Sequence, residues 1–461
     1  MIDFAPLLAS QRRYFETGST RSIGFRQEQL KKLGAGIESH EEALFAALRA
    51  DLRKSPQEAY TSELGVVLSE IAHAIRHLPK WARNARRSLP VFAKPGRGWV
   101  APEPRGLVLI IGPWNFPVQL LLTPLAGAIA AGNCACLKMS EHAPRTSSAV
   151  AEMIRAVFPE EYVCVVEGPK EAAEALIQLK FDHIFFTGSA PVGKAVMRAA
   201  AENLTPVTLE LGGKCPCLVC DDATPEVAAR RILWGKFINA GQACVAPDFL
   251  LVDKRITERL MEEMIKALHR FYGDDPRQSP DYGRIIDRRH FDRLVAFLND
   301  GKAVTGGTHD ARELYIAPTI LTGVKRSAPV MQEEIFGPIL PVIEYDNLDE
   351  ALAWLGGLPS PLALYLFSNK RELQDRVIAK TRSGSVCIND TVLQITAKHL
   401  PFGGTGESGF GSYHGKAGFD CFSHARAILK RPEVFDPAGR YPPVDTLMKD
   451  LRRIYRYLIH E

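Results

Sequence analysis

One of the nine cysteines in this 461-residue chain, Cys244, lies in the run Asn-Ala-Gly-Gln-Ala-Cys-Val-Ala-Pro at 239–247. A thiolate is the strongest nucleophile that a side chain offers near neutral pH, so a cysteine set among small residues is a candidate for covalent catalysis. Taken alone, any one of nine is more readily a small core residue, and the case rests on its companions. Glu210 ends the apolar run Val207 to Leu209 and precedes Leu211-Gly212-Gly213-Lys214. A carboxylate at a strand end before two glycines suits a general base, with backbone free to bend toward a ligand, although an ordinary turn glutamate explains the spacing equally well. Pro113-Trp114-Asn115-Phe116-Pro117 follows the apolar run Leu107 to Ile111. The uncharged amide of Asn115 is a hydrogen-bond donor for an oxyanion that would leave a nearby thiolate little perturbed, while Asn in a Pro-flanked turn is otherwise common.

Phe186-Thr187-Gly188-Ser189 closes another apolar run, and Pro191 can open a helix through Leu204 whose free amides would face a pyrophosphate. Glycines at 188 and 193 alone do not make the G-x-G-x-x-G pattern. Cys215, Cys217 and Cys220 have a spacing that invites metal binding, and a non-catalytic metal-binding protein is one alternative. Pro216, Leu218 and Val219 place those cysteines in a buried strand with no partnering His or Cys cluster nearby, so no metal is expected.

The elements that must position these residues follow from hydrophobic periodicity. The first 80 or so residues carry helical spacing through Ile23 to Leu52 and Glu63 to Trp81. From Arg105 onward, short apolar runs alternate with helical stretches: Leu107 to Ile111, Cys134 to Lys138, Val163 to Val166 and His183 to Thr187. A second series follows Glu210, at Cys217 to Val219, Phe249 to Val252, Ile316 to Leu321, Leu362 to Phe367 and Ser385 to Asn389. Alternation of this kind predicts parallel strands with crossover helices in two α/β lobes, with ligands beside the strands' carboxyl ends. The segment from Gly106 to Leu137 has no charged side chain and the length of a membrane span. Pro113, Pro117, Pro124 and the polar Asn115, Gln119 and Asn133 break it into strand, loop and helix instead.

A net charge of +4 is too slight to point to nucleic acid. The basic stretch Lys80 to Arg97 alternates with Trp81, Leu89, Val91 and Phe92, and reads as a solvated face or subunit arm. An odd number of scattered cysteines indicates a reducing compartment, and MIDFAPLLAS meets Gln11, Arg12 and Arg13 before a signal-peptide core could form, so a cytoplasmic protein starting here is expected. After Arg431 the tail is rich in proline, at Pro432, Pro437, Pro442 and Pro443. A helix is predicted from Thr446, with Leu447, Leu451, Ile454 and Leu458 on one face and Arg452, Arg453 and Arg456 making it basic. Docking on the protein or a sister subunit is favoured over a membrane surface.

Together the motifs PWNFP at 113–117, FTGS at 186–189, ELGGK at 210–214, GQACVAP at 241–247, QEEIFGP at 332–338 and PFGG at 401–404 resemble the aldehyde dehydrogenase superfamily over essentially the whole chain. The short N-terminus, APDF at 246–249 and GSYHGKAGFDCFSH at 411–424 are most similar to its class 3 group. The resemblance implies an α/β fold with a Rossmann-like cofactor-binding domain (1–82 and 102–209), an α/β catalytic domain (210–410) and a small oligomerisation element (83–101 and 411–461). It implies Cys244 as nucleophile, Glu210 as general base and Asn115 as oxyanion donor. Lys138 and Glu141 match the adenosine-ribose contacts, Gly188 and Ser189 the pyrophosphate turn, Glu334 and Phe336 the nicotinamide-ribose contacts, and Trp114 and Leu211 further cofactor contacts. The implied reaction is oxidation of medium-chain aliphatic or aromatic aldehydes with NAD or NADP by a homodimer. A CoA-acylating dehydrogenase is the alternative within this chemistry, and Glu210, with an obvious use in hydrolysis, argues against it. Two positions depart from the pattern: Met139 replaces a proline, which would shift the ribose-contacting strand, and Phe249 stands where the group often has tyrosine. Glu141 would repel a 2′-phosphate, leaning the reading toward NAD.

Overall fold

The structure is a computed structural model that describes residues 3–90, 93–434, 436, 440–442 and five positions between 450 and 456. Val91, Phe92, Pro437, Pro443, Thr446, Leu447, Leu451, Ile454 and Leu458 lie outside the described residues, while Arg452, Arg453 and Arg456 are helical.

Helices Ala5–Glu16, Ile23–Ser39, Glu41–Leu52 and Gly65–Trp81 build the first layer. Leu30, Leu33 and Ile37, then Leu44, Leu48 and Leu52, recur at helical spacing and are fully buried. Ser22 caps its helix by accepting the Phe25 N–H at 3.1 Å. A five-residue π-turn, Tyr60–Leu64, precedes Gly65–Trp81 and carries the fully buried Glu63. Such turns insert one residue into the helical repeat and re-aim the side chains around it.

These helices pack on a six-stranded sheet ordered Gly409–Phe410, Val207–Glu210, His183–Thr187, Leu107–Ile111, Cys134–Lys138, Val163–Val166. The last five are parallel, and Gly409–Phe410 pairs antiparallel with Val207–Glu210 at the edge. The uncharged segment from 106 to 137 forms strand Leu107–Ile111, a loop, helix Gln119–Ala131 and strand Cys134–Lys138. Among the described residues no helix is long and apolar enough to cross a membrane.

A seven-stranded sheet follows, ordered Lys302–Thr305, Thr319–Thr322, Ile339–Tyr345, Phe249–Asp253, Pro216–Val219, Ala363–Phe367, Ser385–Ile388. Both faces are covered: Cys217, Val219, Leu250 and Val252 pack into one core and Leu218, Phe249 and Leu251 into another. This is the period-two alternation of strands buried on both sides. A third, antiparallel sheet joins Ala85–Arg87, Arg97–Pro104 and Ser423–Lys430.

Two expected elements differ, and a third, apolar stretch changes element part-way. The run Ile316 to Leu321 is two strands, Tyr315–Ile316 against His309–Asp310 and Thr319–Thr322 against Ile339–Tyr345, because Pro318 between them has no N–H to continue a ladder. The apolar stretch at 421–429 begins as the end of helix Gly415–Cys421 and becomes a strand only at Ser423. The helix opened by Pro191 ends at Glu202, before Leu204, whose φ of 53° is left-handed.

Candidate active site

Register places the expected residues along one crevice. Ile111 is paired with Phe186 on one side and Lys138 on the other, and Thr187 is paired with Glu210. The carboxyl ends of four neighbouring parallel strands therefore present the 113–117 loop, Lys138, Gly188 and Glu210 at one edge of the sheet, where backbone turns away and leaves room for ligands.

Cys244 reaches that edge from the second lobe. Helix Pro225–Phe237 ends in a tight turn, Ile238–Gly241, in which Asn239 and Ala240 both have φ of 51°. The Asn239 amide secures this conformation by donating to the backbone oxygens of Asn115 at 2.8 Å and Gln242 at 3.2 Å. The side chain of Asn115, 2% exposed, donates from Nδ2 to the Gln242 oxygen at 3.1 Å. The loop carrying Asn115 and the loop carrying Cys244 are thus bonded to each other, and one of the two Asn115 amide N–H groups stays free of protein partners by this count. Behind the nucleophile candidate, the Cys215 thiol donates to the Cys244 carbonyl oxygen at 3.3 Å.

The electrostatics of the site are those of a water-poor enclosure. Burial pushes the Cys244 thiol up to about 12, with the Glu334 and Glu210 carboxylates adding to the rise and the N–H groups of Cys244 and Val245 opposing it. Glu210 is 3% exposed, neither carboxylate oxygen has a partner, and burial alone drives its carboxyl well above the usual range. Burial, reinforced by Asp248, raises Glu334 to about 8. Its carboxylate lies where a side chain on Gly212 would be, 2.0 Å from an ideal Cβ, and accepts the Gly213 N–H. The three groups form a compact acidic cluster whose neutral forms are favoured until a positive charge or water enters.

The aldehyde dehydrogenase family model matches residues 4–428. The 4,4′-diaponeurosporen-aldehyde dehydrogenase of Staphylococcus aureus is 44% identical over 96% of this chain and 97% of its own. Human aldehyde dehydrogenase family 3 member B1 is 46% identical over 94% and 93%. A substrate-bound structure of Staphylococcus aureus AldH superposes with a TM-score of 0.96 at 43% identity, covering 99% of this chain and 100% of the other. The chain belongs to the aldehyde dehydrogenase family. It carries out NAD(P)-dependent oxidation of aldehydes, as expected from the motifs.

The crevice of this aldehyde dehydrogenase fits a dinucleotide. Helix Ala190–Glu202 starts at Ser189 with no side chain capping its first amides, so those N–H groups are open to an anion. Gly188 has no room for a side chain, since an ideal Cβ would lie 2.5 Å from the Phe186 ring, and the buried Thr187 hydroxyl beside it lacks a partner. Leu211 packs against Gly193 on the first turn of that helix. Lys138 donates to the backbone oxygens of Met139 and, at 3.0 Å, Gly168, and lies 3.7 Å from Glu141. Burial lowers its pKa. Met139 does not distort the strand: its N–H bonds the Val166 oxygen at 3.2 Å and extends the ladder by a rung that proline could not supply. Trp114 meets Phe336 edge to face at 5.3 Å, and Phe336 is held at a φ of 50°. Phe249 is buried against Trp354 at 5.4 Å in the second core, so the missing tyrosine hydroxyl would have had to be accommodated there.

Sequence reasoning missed the groups that hold these loops. Lys54, fully buried, donates to the Asn115 oxygen at 2.9 Å and to Glu63 at 2.5 Å, and its ammonium lies 4.0 Å from the centre of the Phe116 ring. Glu63 in turn accepts the N–H groups of Val118 at 3.0 Å and Gln119 at 2.8 Å. Glu58 accepts the Asn239 N–H at 2.8 Å. Lys214, the last residue of ELGGK, pairs with Asp248 and donates to the oxygens of Val330 and Glu333 at 2.9 and 2.8 Å, which fixes the segment bearing Glu334. Cys217, one of the three closely spaced cysteines, sits in strand Pro216–Val219 opposite Leu250 and Tyr365, and all three are buried. Among the described residues no group of three His, Cys, Asp or Glu is arranged to hold a metal ion.

Proposed function

We propose that this aldehyde dehydrogenase converts medium-chain aliphatic or aromatic aldehydes to carboxylic acids through a thioester on Cys244, hydrolysed by water that Glu210 activates. The observation that carries this reading is the pair of unpartnered, buried Glu210 oxygens beside the Cys244 thiol. A buried carboxylate with no protein partner is costly unless its partner is a reacting group or water.

In the reaction, Cys244 Sγ attacks the aldehyde carbon as its proton passes to solvent, directly or by way of Glu210, which is left unprotonated. The free Asn115 N–H and the Cys244 backbone N–H hold the resulting oxyanion. Lys138 with Glu141 would hold the adenosine ribose, Gly188 and Ser189 the pyrophosphate, and Glu334, Phe336, Trp114 and Leu211 the nicotinamide half. NAD(P), when bound, accepts the hydride and brings the positive charge of its oxidised ring to the site. Glu210 then takes a proton from water, the oxygen adds to the thioester carbon, and cleavage of the C–S bond returns the thiol and releases the acid. Glu210 and Glu334 are the carboxyl groups nearest in effect to the thiol, and a substrate bearing its own carboxylate would add a further acidic group to a buried cluster already held from ionising. Formation of reduced cofactor from hexanal and benzaldehyde by wild type, its loss in Cys244→Ala, and an acid product that does not change when CoA is added test the proposal together; activity surviving Cys244→Ala overturns it.

The lean toward NAD rests on Glu141, whose carboxylate is 38% exposed and disfavours a 2′-phosphate. Glu141→Gln should raise kcat/KM for NADP relative to NAD several-fold, measured with one aldehyde held constant. Homodimer formation is supported by two free strand edges, Ser385–Ile388 on the seven-stranded sheet and Ser423–Lys430 on the three-stranded sheet. A canine relative 44% identical over 96% of this chain bears the name aldehyde dehydrogenase, dimeric NADP-preferring.

A further inference from the structure

We propose that a second cavity, away from the cofactor crevice, is a binding site for small multiply charged oxyanions, phosphate- or carboxylate-bearing. The cavity has a volume of about 790 Å³ and lies between helix Gly65–Trp81, the three-stranded sheet and the segments near 400 and 414–420. None of Lys138, Ser189, Glu210 or Cys244 lines it.

Three independent features converge on an anion. Lys80, Arg83 and Arg87, from the basic stretch that the dehydrogenase chemistry leaves unused, line the cavity together with Lys398. Asp420 is the carboxylate on its wall, and it is already paired with Lys416 at 2.5 Å. Second, His414 is 3% exposed and lines the same cavity, yet its Nε2 has no hydrogen-bond partner. Its other ring nitrogen lies 3.7 Å from Glu70, whose carboxyl, although raised by burial, is held below its usual value chiefly by the His414 ring and the Gly415 N–H. With one ring nitrogen beside a carboxylate, the other, buried and without a partner, marks a place for a ligand or water; it donates to an anion when the ring carries both protons.

Third, the rings of His73, His77 and His399 gather on the wall, with centroids 4.1 Å apart for His73 and His77 and 5.0 Å for His73 and His399. Burial and then the neighbouring His77 depress the His73 pKa, so its ring resists taking up a proton until a negative charge arrives. Trp81 stacks on His77 at 5.8 Å and gives the cavity an apolar floor for the ligand's carbon skeleton. The histidines do not form a metal site, since no such group among the described residues has the arrangement.

The test is isothermal titration of the full-length enzyme saturated with NAD, which keeps the pyrophosphate turn filled, at low ionic strength. Inorganic pyrophosphate and citrate are the probes, with acetate as the single-charge control. One saturable site per chain is expected for pyrophosphate, citrate or both, tighter at pH 6 than at pH 8, and at least tenfold tighter than acetate. Lys80→Gln with Arg83→Gln, both at exposed positions, should weaken it tenfold or more, and His73→Gln should reduce its pH dependence relative to wild type with the same probe. Lys31→Gln with Lys32→Gln, exposed on helix Ile23–Ser39, should leave it unchanged. Binding of pyrophosphate alone assigns phosphate as the recognised group, and binding of citrate alone assigns carboxylate. Absence of saturable binding overturns the proposal, as does an equal loss in the Lys31/Lys32 pair or no loss in the Lys80/Arg83 pair.

Discussion

At the scale of single residues, one physical cause acts on both groups proposed to react. Exclusion of water from the crevice drives the Cys244 thiol to about 12 and the Glu210 carboxyl well above its usual range. For an acid whose native pKa is raised, the base form populates only above that raised value. Turnover limited by Glu210 should therefore keep rising as pH passes neutrality, where an exposed carboxylate would have levelled off near pH 5 to 6. Glu210→Gln should lower steady-state turnover by roughly 10²- to 10⁴-fold and flatten that limb. It should leave a rapid burst of about one equivalent of reduced cofactor per site, because acyl-enzyme forms but water is not activated. Stopped-flow absorbance distinguishes this from a general loss of function, which would remove the burst as well. That Cys244, Glu210 and Asn115 belong to one crevice was legible in the sequence because each lies in a short motif beside an apolar run. Lys54, Glu63 and Asn239 were not, because their partners are remote. Lys54 acts on Asn115, 61 residues away, and Asn239 on the same oxygen from 124 residues away.

At the scale of elements, the 113–117 loop, proposed to hold the oxyanion, is held from outside itself. Lys54 grips its backbone oxygen at Asn115, while Glu63 ties down the N–H groups of Val118 and Gln119, where helix Gln119–Ala131 begins. Both side chains are fully buried, so removing one leaves the other uncompensated, at a cost of about 3 to 5 kcal/mol. Lys54→Met alone should lower the melting temperature sharply. Lys54→Met with Glu63→Leu should recover much of that stability, as paired replacement of buried ions commonly does. It should not restore kcat, since the Asn115 oxygen and the loop amides would still lack their anchors. Thermal unfolding and steady-state kinetics on the single and double variants check this, and recovery of kcat together with stability would show the pair to be purely structural. Four strands of the first sheet, Leu107–Ile111, Cys134–Lys138, Val163–Val166 and His183–Thr187, were legible to the residue because each is a short, mainly apolar run between turn residues, whereas the two-residue edge strand Gly409–Phe410 is too short to give a pattern. Ile339–Tyr345 carried no such signal, since Pro341 interrupts it. The structure tolerates proline there because 339–341 pair with Thr319–Thr322 and 342–345 pair with Phe249–Asp253, so Pro341 lies at the change of partners.

At the scale of the whole molecule, two of the sheet edges among the described residues can complete each other. Ser385–Ile388 ends the seven-stranded sheet, and Ser423–Lys430 ends the three-stranded one, eight residues long and displaying Leu429 at 56% exposure. A long, flat edge of this kind pairs with another strand unless charge, proline or a covering element prevents it. Pairing each copy's Ser423–Lys430 with the other's Ser385–Ile388 satisfies both edges and is self-complementary, as a twofold dimer requires. Successive backbone N–H groups along a strand point to opposite sides. Of Ile428→Pro and Leu429→Pro, one therefore removes a donor bound to Arg97–Pro104 and the other a donor at the free edge. Sedimentation velocity should give twice the mass of one chain for wild type and a folded monomer for one of the two proline variants. Hydrogen exchange should show amides of both edge strands protected in the wild type and exposed in that variant. A wild-type monomer, or a dimer whose edge amides exchange as freely as those of a loop, would rule this pairing out.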